Sequence, residues 1–418
     1  MSDLQHWLER IERLHPSEIE LGLERLRRVA GDLGVRTLPM PVITVAGTNG
    51  KGSVVRLLTA MAEAAGLRCC VYTSPHLLRF NERVRLPDGP ASDQALCQAF
   101  AAVEQGRGNT ALTYFEFTTL AGLWLFQRSD ADLCILEVGL GGRLDAVNLI
   151  DADVAVVTSV GLDHLDWLGD SREAILREKI GIGRAGRPLV YGELAAPSNL
   201  DSELAALAAL PLRAGREFTL GDGEVTVRDG DEERRYRIPE PARLGDDNLA
   251  TAVQALAAAG LAPAPHIPGQ VVDTGLTGRC DRRRFKGIDC ILDVGHNLEA
   301  LTRLRHRLPA CAGRRRLVLG MMADKPVEQV VALFAAEPLE WYLCRPDLPR
   351  AATVERLAAA LSGATSKTAA AHLCDSVAEA LAAAVNDSDT GDQVVIVGSF
   401  YTVAEALMVI EAVPPLAR

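Results

Sequence analysis

Short apolar, β-branched runs alternate with longer amphipathic stretches along most of this chain. Val42-Ile43-Thr44-Val45-Ala46 and residues 69–74, 133–138, 154–159 and 188–191 are runs of strand length with little polar alternation. Strands in a parallel sheet read this way, because helices cover both faces. Helical spacing fills several of the gaps, most clearly over 54–65. Residues 213–241 break the pattern: Glu224-Val225-Thr226-Val227-Arg228 alternates between Gly-Asp turns and predicts an antiparallel hairpin insert. A helix over 248–259 follows, then a Gly- and Arg-rich passage at 275–284 and a new strand at 290–294. Residues 316–319, 341–344 and 393–397 read as further parallel strands between alanine-rich helices, and no internal repeat is visible. The alternation predicts an α/β fold, and 418 residues favour two domains over one core.

Composition adds exclusions. Apolar residues make up 48% of the chain, which is ordinary for a globular protein. A net charge of −11 argues against a broad nucleic-acid surface but leaves room for a local anion cradle. The opening Met-Ser-Asp-Leu-Gln-His-Trp-Leu-Glu-Arg lacks a basic start and an apolar core, and no run is long enough to span a bilayer. The expectation is a cytoplasmic protein without membrane or nucleic-acid partners. Nine cysteines show no C-x-x-C spacing and read as reduced core thiols.

The first apolar run opens into Gly47-Thr48-Asn49-Gly50-Lys51-Gly52-Ser53. A strand, a glycine-rich loop and a helix start together present backbone N–H groups, a helix dipole and one lysine to an anion. The spelling departs from G-x-x-x-x-G-K-[ST], with Val45 in place of the first Gly and Gly52 between Lys51 and Ser53. The physical content survives, and the loop predicts a nucleoside triphosphate. The fold class is therefore read as a P-loop, mostly parallel sheet domain over residues 1–281 and a smaller Rossmann-like α/β domain over 282–418, with a cleft between them.

Open α/β sheets bind ligands where their strands end. Thr73-Ser74-Pro75-His76, Glu137-Val138-Gly139-Leu140-Gly141-Gly142-Arg143 and Gly161-Leu162-Asp163-His164 all sit at such ends. The Ser74 hydroxyl and Glu137 carboxylate suit Mg²⁺, which keeps waters and takes few protein ligands. His164 is the weaker ligand by chemistry, and a capping or core role is its plainer reading. Lys179, in Arg177-Glu178-Lys179-Ile180-Gly181, reads from its residues alone as an exposed helix lysine. Asp293, in Asp293-Val294-Gly295-His296-Asn297, is divided between a ribose or metal-water contact and a simple turn.

These motifs, in order and in register, resemble the folylpolyglutamate synthases of the Mur ligase superfamily, specifically the bacterial bifunctional dihydrofolate synthase/folylpolyglutamate synthases. The resemblance extends from Gly47 to Ser399-Phe400-Tyr401-Thr402-Val403. It implies an ATP-dependent ligase that joins L-glutamate to dihydropteroate and to reduced folates through an acyl phosphate. Ser74 and Glu137 would hold one Mg²⁺. His164 and Lys179 would hold a second, with Lys179 carbamylated, which reverses the plain reading of that lysine. A monovalent cation is a further candidate. Gly47 to Ser53, Asn248, Arg279 and Asp293 would bind ATP. Lys51, His164, Lys179, Arg279 and His296 would carry the catalysis, with the two domains closing on the nucleotide. Thr113, Phe115, Asp145 and Ala146 resemble a pterin pocket, whereas Thr113-Tyr114-Phe115-Glu116-Phe117 alone reads equally as a buried helix start. Lys325 and Ser399 are candidates for glutamate, although Pro326 departs from the family's usual Asp and Gly295 from its usual Ala. A monomer is expected. The alternatives are a monofunctional folylpolyglutamate synthase and a non-catalytic nucleotide-gated binding protein. A murein-peptide ligase is expected to carry another domain ahead of its phosphate loop, and here that loop begins at Gly47.

Overall fold

The computed structural model describes residues 3–15, 20–364 and 371–412. The chain divides into two compact units, Met1–Thr274 and Gly275–Arg418. The division precedes the expected junction after Asp281. Residues 275–280 already bond within the second unit: Val294 N donates to Gly278 O, and Cys280 N donates to the Asp293 carboxylate.

The N-terminal unit is built on an eight-stranded sheet in the order β4-β3-β2-β5-β1-β6-β7-β8. The strands are β1 Val42–Ala46, β2 Cys69–Tyr72, β3 Val84–Leu86, β4 Gly89–Pro90, β5 Leu133–Glu137, β6 Val154–Val157, β7 Pro188–Tyr191 and β8 Leu210–Arg213. β2 to β8 through β5, β1, β6 and β7 run parallel, while β3 and β4 add an antiparallel edge. β1, β5 and β6 are buried at every position, as continuous apolar runs require. Because β5 lies on one side of β1 and β6 on the other, the chain reverses its order of addition there. The strand-end crevice that opens at such a reversal lies over β1, β5 and β6. The predicted hairpin is a three-stranded antiparallel sheet of β9 Thr219–Gly221, β10 Glu224–Asp229 and β11 Glu232–Arg237, seated on the helix Asp246–Ala258.

The C-terminal unit holds a six-stranded sheet, order β12-β13-β17-β14-β15-β16. Its strands are β12 Asp281–Phe285, β13 Ile288–Asp293, β14 Arg315–Leu319, β15 Leu339–Cys344, β16 Ala371–Cys374 and β17 Gln393–Val397. All pairs are parallel except β12 with β13. The run at 290–294 is therefore not the unit's first strand. β12, with Arg282, Arg283 and Arg284 in sequence, lacks the apolar signature because it is an edge. Its core packs Trp341, Phe334 and Leu319 between sheet and helices. Among the described residues no helix is long and apolar enough to cross a membrane.

Candidate active site

The phosphate loop leaves β1 and enters the helix Lys51–Ala64 through Gly50, whose φ of 88° is left-handed. A Cβ on Gly50 would also lie 2.7 Å from Asn248 Oδ1, so both conformation and space demand glycine. Asn248 is 6% exposed and fixed by donating to Leu244 O at 2.7 Å. The first-turn amides of the helix have no intrahelical acceptor and face outward as anion donors. Lys51 Nζ lies back over the loop, donating to Gly47 O at 2.8 Å.

Two hydroxyls that sequence reasoning missed hold this loop. Asn49 N donates to Ser159 Oγ at 3.0 Å, and Thr158 Oγ1 donates to Asn49 O at 2.5 Å. Adjacent hydroxyl residues directly after a buried strand were the available signal. Thr48, expected among the nucleotide ligands, has its hydroxyl engaged with both backbone groups of Gly161.

Glu137 ends β5, opposite Val45 of β1, and is 6% exposed. Ser74 N donates to Glu137 Oε2 at 3.3 Å, so the Ser74 backbone lies against the carboxylate. A Ser–Glu pair beside an anion cradle fits Mg²⁺, whose remaining positions belong to water and phosphate. Among the described residues no group of three or more His, Cys, Asp or Glu side chains forms a metal cage. Such a cage is not the donor set that this ion uses.

Beyond Glu137 the loop presses on the C-terminal turn of the helix Arg172–Ile180. A Cβ on Gly142 would stand 2.7 Å from Glu178 O, and Arg143 N donates to that carbonyl at 2.7 Å. The next residue, Lys179, is 4% exposed, so the surface-lysine reading of its local sequence does not hold. Burial, reinforced by the Lys51 charge, brings the Lys179 amine down to about 7, against the pull of Asp163, Asp145 and Glu178. The neutral amine is therefore abundant at neutral pH.

Asp145 is 3% exposed and caps the turn Ala146–Leu149. It accepts from Gly139 N at 3.0 Å, Leu140 N at 2.8 Å and Val147 N at 3.0 Å. Burial pushes its carboxyl up to about 6, against those donors and Lys51. Ala146 is buried beside it. Thr113 caps the helix Tyr114–Phe126 in a capping box with Glu116, which also receives Arg25 Nε at 3.0 Å. Its hydroxyl is thus engaged at a buried helix start. Phe115 is half-buried, its ring centroid 6.1 Å from that of Tyr72. His164 has a left-handed φ of 52°, precedes the short helix Leu165–Leu168, and keeps 45% of its side chain exposed next to Asp163.

In the C-terminal unit, Asp293 accepts from Cys280 N and Gly295 N, both at 2.8 Å, and burial pushes its carboxyl upward against the Arg279 charge. The turn reading describes these bonds. Arg279 lies over the Phe400 ring at 5.5 Å, and the His296 ring is 6.5 Å from it. Ser399 caps the helix Phe400–Ile410, and Lys325 lies 3.6 Å from Asp324.

Two family models match the chain, the Mur ligase middle domain over residues 45–189 and the Mur ligase glutamate ligase domain over 278–400. The dihydrofolate synthase/folylpolyglutamate synthase of Escherichia coli K12 is 41% identical, with 98% of this chain and 96% of that protein covered. The chain belongs to that family. Among solved structures, E. coli FolC in complex with DHPP and ADP is similar, with a TM-score of 0.90, 42% identity and 98% of each chain covered. The Yersinia pestis bifunctional folylpolyglutamate synthase/dihydrofolate synthase, complexed with AMPPNP and Mn ion, has a TM-score of 0.88, 39% identity and 98% coverage of both chains. Membership makes the chain an ATP-dependent ligase of folate metabolism, with the mixed α/β architecture of the family.

Proposed function

We propose that this chain joins L-glutamate to dihydropteroate and to reduced folates, with Mg·ATP as the energy source, in the cytoplasm and as a monomer. The observation that carries the reading is Lys179. It is a lysine at 4% exposure, under the charge of Lys51 and Asp163, with its amine brought down to about 7. A bare ammonium is poorly served there. A carbamate, formed when the neutral amine adds CO₂ and releases a proton, supplies oxygen ligands where a cation repels metal.

In this reading the phosphate loop from Gly47 to Ser53 grips the nucleotide, Lys51 neutralises its phosphates, and Asn248 fixes the loop's glycine face. Ser74 and Glu137 would hold one Mg²⁺, and His164 with Lys179, once carbamylated, would hold another. These ions draw charge from the phosphate and carboxylate oxygens when bound. The acceptor carboxylate attacks the γ-phosphorus and ADP leaves. The glutamate amine then attacks the acyl carbon, loses a proton, and phosphate departs. The protein contributes positioning and charge more than covalent chemistry. Phe115 and Ala146 offer apolar walls to a pterin, and Asp145, with most of its lone pairs on backbone, shapes the wall more than it reads the ring. The same reading gives Arg279, Asp293 and His296 to the handling of the nucleotide, and Lys325 and Ser399 to glutamate. A monovalent cation is a further ligand for this set.

The test is phosphate release with Mg·ATP and L-glutamate, dihydropteroate being compared with tetrahydrofolate, and mass analysis of both products. One glutamate added to each acceptor supports the reading. Addition to tetrahydrofolate alone reduces it to a monofunctional enzyme, and addition to neither overturns it.

A further inference from the structure

We infer that Thr48 is a positioning residue that ties the phosphate loop to the segment carrying Asp163 and His164, so that nucleotide in the loop sets that segment. The inference rests on the proposed roles of the loop and of His164. Thr48 Oγ1 accepts from Gly161 N at 2.9 Å and donates to Gly161 O at 3.1 Å, while Thr48 N donates to Ser159 O at 2.9 Å. Its amide and its hydroxyl are therefore directed at the exit of β6, and the hydroxyl proton is spent on protein. A threonine in a phosphate loop is ordinarily credited with a ligand contact; here the side chain reaches the neighbouring segment instead.

The far side of that segment is clamped. Val160 N donates to Glu193 Oε2 at 3.1 Å, Arg172 Nε donates to Val160 O at 2.7 Å, and Arg172 and Glu193 pair at 2.9 Å. Past Gly161 the apolar side chains turn outward. Leu162, Leu165 and Trp167 are 54%, 48% and 46% exposed, and the chain regains the core only at Leu168. Asp163 Oδ1 accepts from His164 N at 2.9 Å, and its carboxylate, 13% exposed, acts on the charge of buried Lys179. A stretch with so little burial takes its position from its anchors. Thr48 is the anchor that belongs to the phosphate loop, so a shift of the loop's backbone on binding is passed to Gly161 and to the turn two residues on.

Amide hydrogen exchange on the full chain tests this, with ADP as the probe. In the wild type, saturating ADP should slow exchange both in peptides covering 47–53 and in peptides covering 160–168. Thr48→Val keeps the shape and removes the hydroxyl. It should retain the slowing at 47–53, bind ADP within ~3-fold of wild type, and lose the slowing at 160–168, with kcat down ~10-fold against a small change in KM for ATP. Thr48→Ser keeps the hydroxyl and should restore both, which separates the lost bond from a variant that fails to fold. Equal slowing at 160–168 in Thr48→Val overturns the inference, as does wild-type slowing confined to 47–53. No slowing at either place in the wild type removes the nucleotide reading itself, and the inference with it.

Discussion

Lys51 and Lys179 act on each other electrostatically, yet their surroundings make them different reagents. Lys51 stands on a glycine loop, partly open, with its ammonium hydrogen-bonded to Gly47 O. Lys179 is buried, and its amine is brought down to about 7. One is a fixed positive charge; the other is a nucleophilic amine. Burial, with the Lys51 charge behind it, makes the difference, because both side chains begin with the same ordinary basicity.

The largest effect should come from the fixed charge. Lys51→Met should lower the glutamate-dependent release of phosphate by ~10³-fold, since nothing else in the loop supplies a point charge at the phosphates. Calorimetry with ADP should show weakened binding in the same variant. Unchanged turnover would mean that the cradle's backbone amides suffice, and the contrast between the two lysines would lose one side.

Next comes the reactive amine. Lys179→Met should cost on the order of 10²-fold, with the loss concentrated in metal dependence instead of ADP affinity. Wild-type protein prepared free of CO₂ should lose activity and regain it with bicarbonate, whereas the methionine variant should ignore both treatments. ¹³C NMR after labelled bicarbonate reads the carbamate directly. A wild type with no carbamate signal and no response to bicarbonate would return Lys179 to a purely electrostatic role.

How much of this contrast the chain discloses depends on range. The loop at Gly47 to Ser53 is legible because its glycines, its lysine and the apolar run before it are neighbours in sequence. Glu137 and Ser74 are legible as strand ends, since β5 and β2 are unbroken apolar runs. Lys179 is not. Arg172-Glu173-Ala174-Ile175-Leu176-Arg177-Glu178-Lys179-Ile180 carries an ordinary surface pattern, and its burial comes from chain that is distant in sequence, such as the loop at Gly142. β12 and β4 escape for a related reason: edge strands need no apolar face, so periodicity says little about them. The roles of Thr48, Thr158 and Ser159 were equally hidden, because a hydroxyl's partner across the sheet is not written beside it.

A smaller effect separates substrates. Phe115→Ala should raise KM for dihydropteroate by ~5-fold, about 1 kcal/mol of lost aromatic contact, with ATP kinetics unchanged. Comparing the same variant on tetrahydrofolate asks whether one pocket serves both acceptors. A selective loss would assign Phe115 to the first reaction alone, and no loss on either acceptor would remove it from the pocket.

The subtlest test returns to burial through the pH dependence of stability, measured as the denaturant midpoint of the ligand-free protein in CO₂-free buffer. The Lys179 amine titrates near 7 in the folded chain and near its ordinary 10.5 when unfolded. Between those values the unfolded chain holds a proton that the native one has released, so stability should rise with pH across that window. Asp145 has the opposite sign. Its folded carboxyl titrates near 6 against an ordinary 3.8, so between them the native state holds the extra proton and stability should fall as pH rises. The wild-type profile should therefore dip near neutrality relative to a chain lacking both groups. Lys179→Met should flatten the alkaline rise and leave the acidic fall, because the acidic limb belongs to a carboxyl held by three backbone amides. If the alkaline rise survives in Lys179→Met, the buried amine is not its source, and the distinction between the two lysines must rest on chemistry other than solvation.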